Sequence, residues 1–182
     1  MLSRLLSRFP NRQEIVHAFA TAAFLVYGWT IYSSFWKVPS WVFYLRTSEI
    51  FSVYAYSFLV NFFECVFLVL FLLAVNFFFF GNLWKDKFLP ASVVMLVALV
   101  GSSLLHLHRY EDPTLRESFL GSQPLWWGST FLISFLASFI VVRFPWFSKL
   151  LENLADRFSV FLYIYIPLTI LSLFIVLARI VL

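Results

Sequence analysis

Hydrophobic residues are concentrated in five long runs that are separated by shorter polar segments. The runs lie at about 15–36, 50–80, 89–108, 125–142 and 159–180. An α-helix rises about 1.5 Å per residue, so about 20 apolar residues cross the roughly 30 Å hydrocarbon core of a bilayer. The pattern therefore predicts five transmembrane helices. The second is long enough that it must tilt or project beyond the bilayer, and the fourth is the shortest.

In two further segments, at residues 2–9 and about 146–157, apolar and charged residues recur with the period of a helix that has one apolar and one charged face. The apolar positions of the first are Leu2, Leu5, Leu6 and Phe9, and its basic positions are Arg4, Arg8 and Arg12. The apolar positions of the second are Phe147, Leu150, Leu151, Leu154 and Phe158. Such helices are typical of segments that lie flat in the membrane interface.

Local signals mark several helix ends. Asn11 followed three residues later by Glu14 predicts the N-cap of the first span, directly after Pro10. The aromatic segment 37–49 contains Pro39 and is predicted to be a loop at the interface, with Arg46 and Glu49 paired where the second span begins. Pro167 falls inside the fifth span and predicts a kink there.

Composition supports a membrane protein. Hydrophobic residues make up 62% of the 182 residues and charged residues only 12%, whereas soluble domains are about half apolar and about a quarter charged. A water-soluble fold of this size cannot bury such an excess. We therefore predict an all-α integral membrane protein that forms a single domain over residues 1–182.

The basic residues predict the orientation of the chain in the membrane. With a cytoplasmic N-terminus, the inner side holds Arg4, Arg8, Arg12, Lys85, Lys87, Arg143, Lys149 and Arg157, and the outer side holds Lys37, Arg46, Arg109, Arg116 and Arg179. The positive-inside rule favours this N-in, C-out topology in a plasma or inner membrane. Because the thirteen Lys and Arg residues form no continuous basic face, nucleic acid is not expected as a partner.

One polar stripe runs along the second span. Tyr54, Ser57, Asn61 and Glu64 recur at i, i+3, i+7 and i+10. Placing an ionised carboxylate at this depth costs at least about 2.5 to 3.5 kcal/mol, so Glu64 is expected beside a partner, a proton or water. The stripe is interpreted either as a proton, ion or substrate site, or as a set of hydrogen bonds between helices.

A second polar cluster lies at the outer end of the third span. It consists of His106, His108, Arg109, Glu111 and Asp112. Histidines two residues apart point to different sides of a helix, so joint metal ligation would need extended backbone. Contact with lipid headgroups or a substrate, and an ordinary hydrated loop, are the alternatives.

The remaining reactive side chains favour ordinary structural roles. His17 and Thr21 share a face near the cytoplasmic end of the first span, where a capped or solvated histidine is expected, and a proton relay would need a partner. Cys65, the single cysteine, lies within an apolar run and is expected to be a small buried side chain.

No nucleophile elbow, phosphate loop, zinc spacing or paired catalytic carboxylate is found in the sequence, and no cofactor is predicted. Three functions remain, in decreasing order of preference. The first is a non-enzymatic subunit or self-associating protein, bound to the bilayer and to a membrane-protein partner or a second copy. The second is a proton- or ion-linked transporter that uses Glu64, and the third is a lipid-active enzyme that uses the His106 to Asp112 cluster.

Overall fold

The computed structural model describes residues 10–80, 87–111 and 121–181, and within them the chain is helical with no strand. A π-helical turn, Asn76–Phe80, extends the second helix. The α-helices are α1 (Arg12–Tyr44), α2 (Thr47–Val75), α3 (Phe88–Glu111), α4 (Gln123–Arg143), α5 (Pro145–Ser159) and α6 (Leu162–Val181). All of these except α5 are long and apolar enough to cross a membrane, which confirms the prediction of five such helices.

The core of the bundle contains large apolar side chains, among them Phe58, Phe88 and Leu96. Helix α4 differs, because its inner face is small and polar and its outer face is large and apolar. The buried face of α4 consists of Thr130, Ser134 and Ser138, each four residues from the next. Its outer face carries Leu132, Leu136 and Ile140, all exposed. This is the reverse of a soluble helix, and it suits a surface that contacts lipid and an interior that forms hydrogen bonds.

Helix α1 occupies the centre and packs against α2, α3, α5 and α6. Its interior face is rich in alanine, which lets neighbouring backbones approach closely. The buried alanines are Ala18, Ala20, Ala22 and Ala23. On one side α2 packs against α6, and on the other α3 packs against α4. Large exposed apolar residues surround this core.

Helix α5 packs across the ends of α1, α3 and α4. Its residues include the segment predicted as an amphipathic helix, 146–157, and the helix extends slightly beyond both ends of that segment. Its fully buried face consists of Ser148 and Ala155, whereas Phe147, Leu150 and Leu154 are exposed. The predicted apolar stripe is therefore divided, because Leu151 and Phe158 pack against the core beside these small side chains and the other three members do not. The other predicted amphipathic segment, 2–9, lies outside the described residues.

The predicted loop at 37–49 is wrong over most of its length, because α1 continues through Tyr44. Pro39 lies inside the helix, where it removes one backbone hydrogen bond without ending it. Leu45 closes the helix by donating its backbone N–H to the carbonyl of Trp41 at 2.7 Å. With 33 residues, α1 is roughly 50 Å long, so it extends well past the predicted span.

The two predicted contacts at helix starts have different outcomes. The backbone N–H of Asn11 donates to Oε2 of Glu14 at 2.8 Å, as expected for a capping pair. At α2 the backbone N–H of Arg46, and not its guanidinium, donates to Oε2 of Glu49 at 2.8 Å. The predicted Arg46–Glu49 contact is thus a helix cap and not an ion pair.

Candidate functional site: a mid-span groove at Glu64

A groove of about 490 Å³ opens between α2 and α3, with α1 as its floor. It lies near the middle of all three helices. The floor residues are Val26, Trp29 and Thr30; α2 contributes Glu64, Phe67, Leu68 and Phe71; and α3 contributes Leu99, Val100, Ser103 and Leu104. The groove is open to the side of the bundle, since Phe67 is 69% exposed.

Glu64 is the ionisable side chain in this otherwise mostly apolar lining. Its side chain is exposed in the bundle and forms no ion pair with a described residue. The neighbouring hydroxyl of Ser103 donates to the carbonyl of Leu99 at 3.0 Å, within its own helix. Glu64 is therefore an exposed carboxyl group in the lining of the groove.

The other members of the predicted stripe do not share this opening. Asn61 is buried and forms two hydrogen bonds with the hydroxyl of Thr30. Nδ2 of Asn61 donates to Oγ1 of Thr30 at 2.9 Å, and that hydroxyl donates to Oδ1 of Asn61 at 3.2 Å. Ser57 donates to the carbonyl of Val53 in the preceding turn. The ring of Tyr54 packs edge-on against Trp41, 6.1 Å between centroids. The stripe thus divides into a helix–helix hydrogen bond, a local bond, a ring contact and one carboxyl in the groove.

A hydrogen-bonded centre that the sequence analysis did not single out joins three helices. Tyr27 of α1 is 1% exposed, and its hydroxyl donates to the carbonyl of Phe58 in α2 at 3.0 Å. The same hydroxyl lies 2.6 Å from Oγ1 of Thr169 in α6. Thr169 in turn donates to the carbonyl of Tyr165 at 2.8 Å. The two hydroxyl groups therefore make three contacts with two protons: one to each carbonyl and one to each other. The ring of Tyr27 stacks on Phe58 and Tyr165.

The predicted outer cluster is only partly described. Nε2 of His106 accepts from Nε2 of Gln123 in α4 at 3.0 Å, and the His106 ring lies beside Trp127. The guanidinium of Arg109 lies 5.1 Å above the ring of Trp126. These contacts tie the end of α3 to the start of α4. The side chains of His108 and Glu111, and all of Asp112, lie outside the described residues, and no group of three potential metal ligands occurs among the described ones.

His17 has a neighbour that the sequence could not indicate. Its Nε2 lies 3.6 Å from Oδ1 of Asp156 in α5, and its backbone carbonyl accepts from Thr21 at 2.9 Å. The ring is mostly buried, whereas Asp156 is 71% exposed. This contact joins the start of α1 to the helix that lies across the bundle. Cys65 is fully buried, as predicted.

Two patterns in the sequence indicate these contacts. Tyr27, Thr30 and Ser34 are spaced i, i+3 and i+7 along α1, the same kind of stripe that drew attention to α2. Thr130, Ser134 and Ser138 form another in α4. In apolar spans, such stripes indicate the face that packs against other helices.

No family model, curated protein or solved structure matches the chain.

Proposed function

We propose that the protein is an integral membrane protein that crosses the bilayer five times, with a cytoplasmic N-terminus and the C-terminus on the other side, in a plasma or inner membrane. The apolar outer faces of the five long helices support insertion, and the excess of basic residues on the N-terminal side supports the orientation. In this arrangement α5 lies in the cytoplasmic interface, with its apolar edge towards lipid.

The function that the geometry supports best is that of a non-enzymatic membrane subunit, which binds a transmembrane helix of another membrane protein in the Glu64 groove. The observation that carries this proposal is an apolar groove, open to the side at mid-span, with one carboxyl group in it. A groove facing lipid is filled either by lipid chains or by protein. Only protein can bring a polar partner to that depth with its own backbone hydrogen bonds satisfied.

The dimensions of the groove suit the side chains of a docking helix. A helix with its side chains is about 10–12 Å wide, so a whole helix does not enter a space of about 490 Å³. A ridge of its side chains can enter, in the manner of ridges packing into grooves between helices. The exposed ring of Phe67 at the rim would then be covered.

A transport role is the less favoured alternative. Conduction through the bundle needs polar groups along a continuous path at close quarters. Asn61, Ser57 and Tyr54, which that hypothesis placed on the path with Glu64, make their contacts within the bundle. The groove opens sideways at mid-span, which suits lateral binding better than passage from one side to the other.

Photo-crosslinking in native membranes tests the proposed binding. p-Benzoylphenylalanine replaces Phe67 at the rim of the groove, and in a control protein it replaces Phe174, an exposed phenylalanine on α6. We expect Phe67, and not Phe174, to yield a discrete protein adduct whose crosslinked peptide is a transmembrane segment. Adducts with lipid alone at both positions would contradict the proposal.

A groove-filling substitution gives an independent test. Ser103→Phe places a ring in the groove, whereas Ala178→Phe adds the same ring on an exposed part of α6. The crosslink from Phe67 should be lost with Ser103→Phe and kept with Ala178→Phe. Equal crosslinking in both variants would show that the adduct forms outside the groove.

A further inference from the structure

We infer that the Glu64 groove selects a transmembrane helix that carries a basic side chain, Lys or Arg, near the centre of its span. The inference rests on the proposed function and specifies the chemistry of the partner. Its starting point is the position of Glu64, an exposed carboxyl group at mid-span that lines the groove and has no ion-pair partner among the described residues.

Electrostatics favours a cation as the group that meets Glu64. An ionised carboxylate in hydrocarbon is costly unless it is paired, and an ionised Lys or Arg at the same depth is equally costly alone. Bringing the two together removes both unpaired charges, and their attraction is strong because the surrounding medium is apolar. An apolar partner helix would leave the carboxyl group unpaired.

The lining of the groove also suits a long basic side chain. Phe67, Leu68, Leu99 and Leu104 form apolar walls against which the methylene stem of a Lys or Arg can pack. Trp29 in the floor supplies an aromatic ring to the lining, and aromatic rings attract cations. A short polar side chain would make less use of these walls.

A second copy of this chain does not supply the required residue. In the described helices that could span the membrane, the basic residues lie towards helix ends. They are Arg12, Lys37, Arg109, Arg143 and Arg179. Packing one of these spans into the groove of another copy would bring no basic side chain from the centre of a span to Glu64. The partner is therefore a different protein.

Binding of designed helices to the full-length protein in lipid bicelles tests this inference. The probes are Leu/Ala-rich peptides of about 21 residues, long enough to span the bilayer, with Lys, Ser or Leu at the central position. Fluorescence transfer from a dye on each peptide to a dye on Cys introduced at Asn153 reports binding. We expect the Lys peptide to bind about tenfold more tightly than the Leu peptide, as for a buried charge pair.

Two variants assign this preference to Glu64. Glu64→Gln keeps the size of the side chain and should abolish the preference for Lys. Glu152→Gln makes the same change on the exposed face of α5 and should keep it. A preference for Lys that persists in Glu64→Gln would overturn the inference.

The outcomes also separate this inference from the proposed function. If all peptides bind equally, and Ser103→Phe blocks them all, the groove binds helices and the choice of a basic partner is wrong. If no peptide binds and the benzoylphenylalanine at Phe67 captures only lipid, the proposed function itself fails. If that group captures a second copy of the chain, the assignment to a different protein is overturned.

Discussion

At the scale of single residues, the hydroxyl of Tyr27 is the contact with the clearest energetic role. It connects α1 to a carbonyl in α2 and to Thr169 in α6, at a position that is 1% exposed. Tyr27→Phe keeps the stacked ring and removes the hydroxyl. We expect it to lower the free energy of unfolding by about 0.6 to 1.7 kcal/mol, the range for hydrogen bonds between membrane helices, measured by SDS titration in mixed micelles.

A matched control for Tyr27 lies on α6. Tyr163→Phe is the same change at a side chain that is 84% exposed, and it should leave the unfolding free energy unchanged within about 0.5 kcal/mol. A double-mutant cycle with Thr169→Val should give a coupling energy, because the two hydroxyls touch. Strictly additive effects would mean that the two hydroxyls do not stabilise each other, so that any loss in Tyr27→Phe comes from the bond to the carbonyl of Phe58.

The contact between His17 and Asp156 is expected to contribute much less. Asp156 is 71% exposed, so solvent or lipid headgroups screen the pair, and such ion pairs are worth about 0 to 1 kcal/mol. Asp156→Asn should therefore change the unfolding free energy by less than about 1 kcal/mol. Ala155→Leu, one residue away and fully buried, should cost about 1–3 kcal/mol through overpacking. If Asp156→Asn lowered the unfolding free energy more than Ala155→Leu, the docking of α5 would depend mainly on charge.

At the scale of elements, the interface between α3 and α4 depends on small side chains. Ser138 is fully buried and donates to the carbonyls of Ser134 and, across the interface, Ala91. Ser138→Leu should push the helices apart and lower the unfolding free energy by about 1–3 kcal/mol. Ser129→Leu, on the exposed side of the same helix, should be close to neutral. If both variants lost the same unfolding free energy, the effect would come from leucine within α4 and not from the interface with α3.

The five long helices were predictable from the sequence because each coincides with a long apolar run. The runs at 89–108 and 125–142 became Phe88–Glu111 and Gln123–Arg143. The end of α1 was not predictable in the same way. Pro39 and the aromatic residues after it are typical of a loop, yet a single proline costs a helix only one hydrogen bond, and the ring of Trp41 packs against Tyr54 from α2.

The candidate site was predictable only at the level of one helix. Helical spacing placed Glu64 and Asn61 on neighbouring turns of one span, but it cannot show which other helix each one meets. Asn61 pairs with Thr30 in α1, whereas Glu64 faces the groove between α2 and α3. Helix packing makes that distinction, and the packing follows from the small residues of α1 and α4 more than from the polar stripe itself.

At the scale of the whole molecule, the proposed five crossings would place the segment after α1 and the helix after α4 on opposite sides of the membrane. Single cysteines test this arrangement in a Cys65→Ala background. Ser48→Cys, at the exposed start of α2, should react with an impermeant maleimide added to intact cells. Asn153→Cys, exposed on α5, should react only after the membrane is permeabilised.

Comparing the two cysteines with each other makes the count of crossings independent of the expression level and of which side the N-terminus occupies. If α1 to α4 all span, one crossing separates the N-terminus from Ser48 and four crossings separate it from α5. Cysteines at positions 48 and 153 must then be labelled from opposite sides of the membrane. Labelling of both from outside would mean that an odd number of α2, α3 and α4 fails to cross. Labelling in the reversed order would keep the five crossings but invert the molecule, and the weight given to the basic residues near the N-terminus would then be wrong.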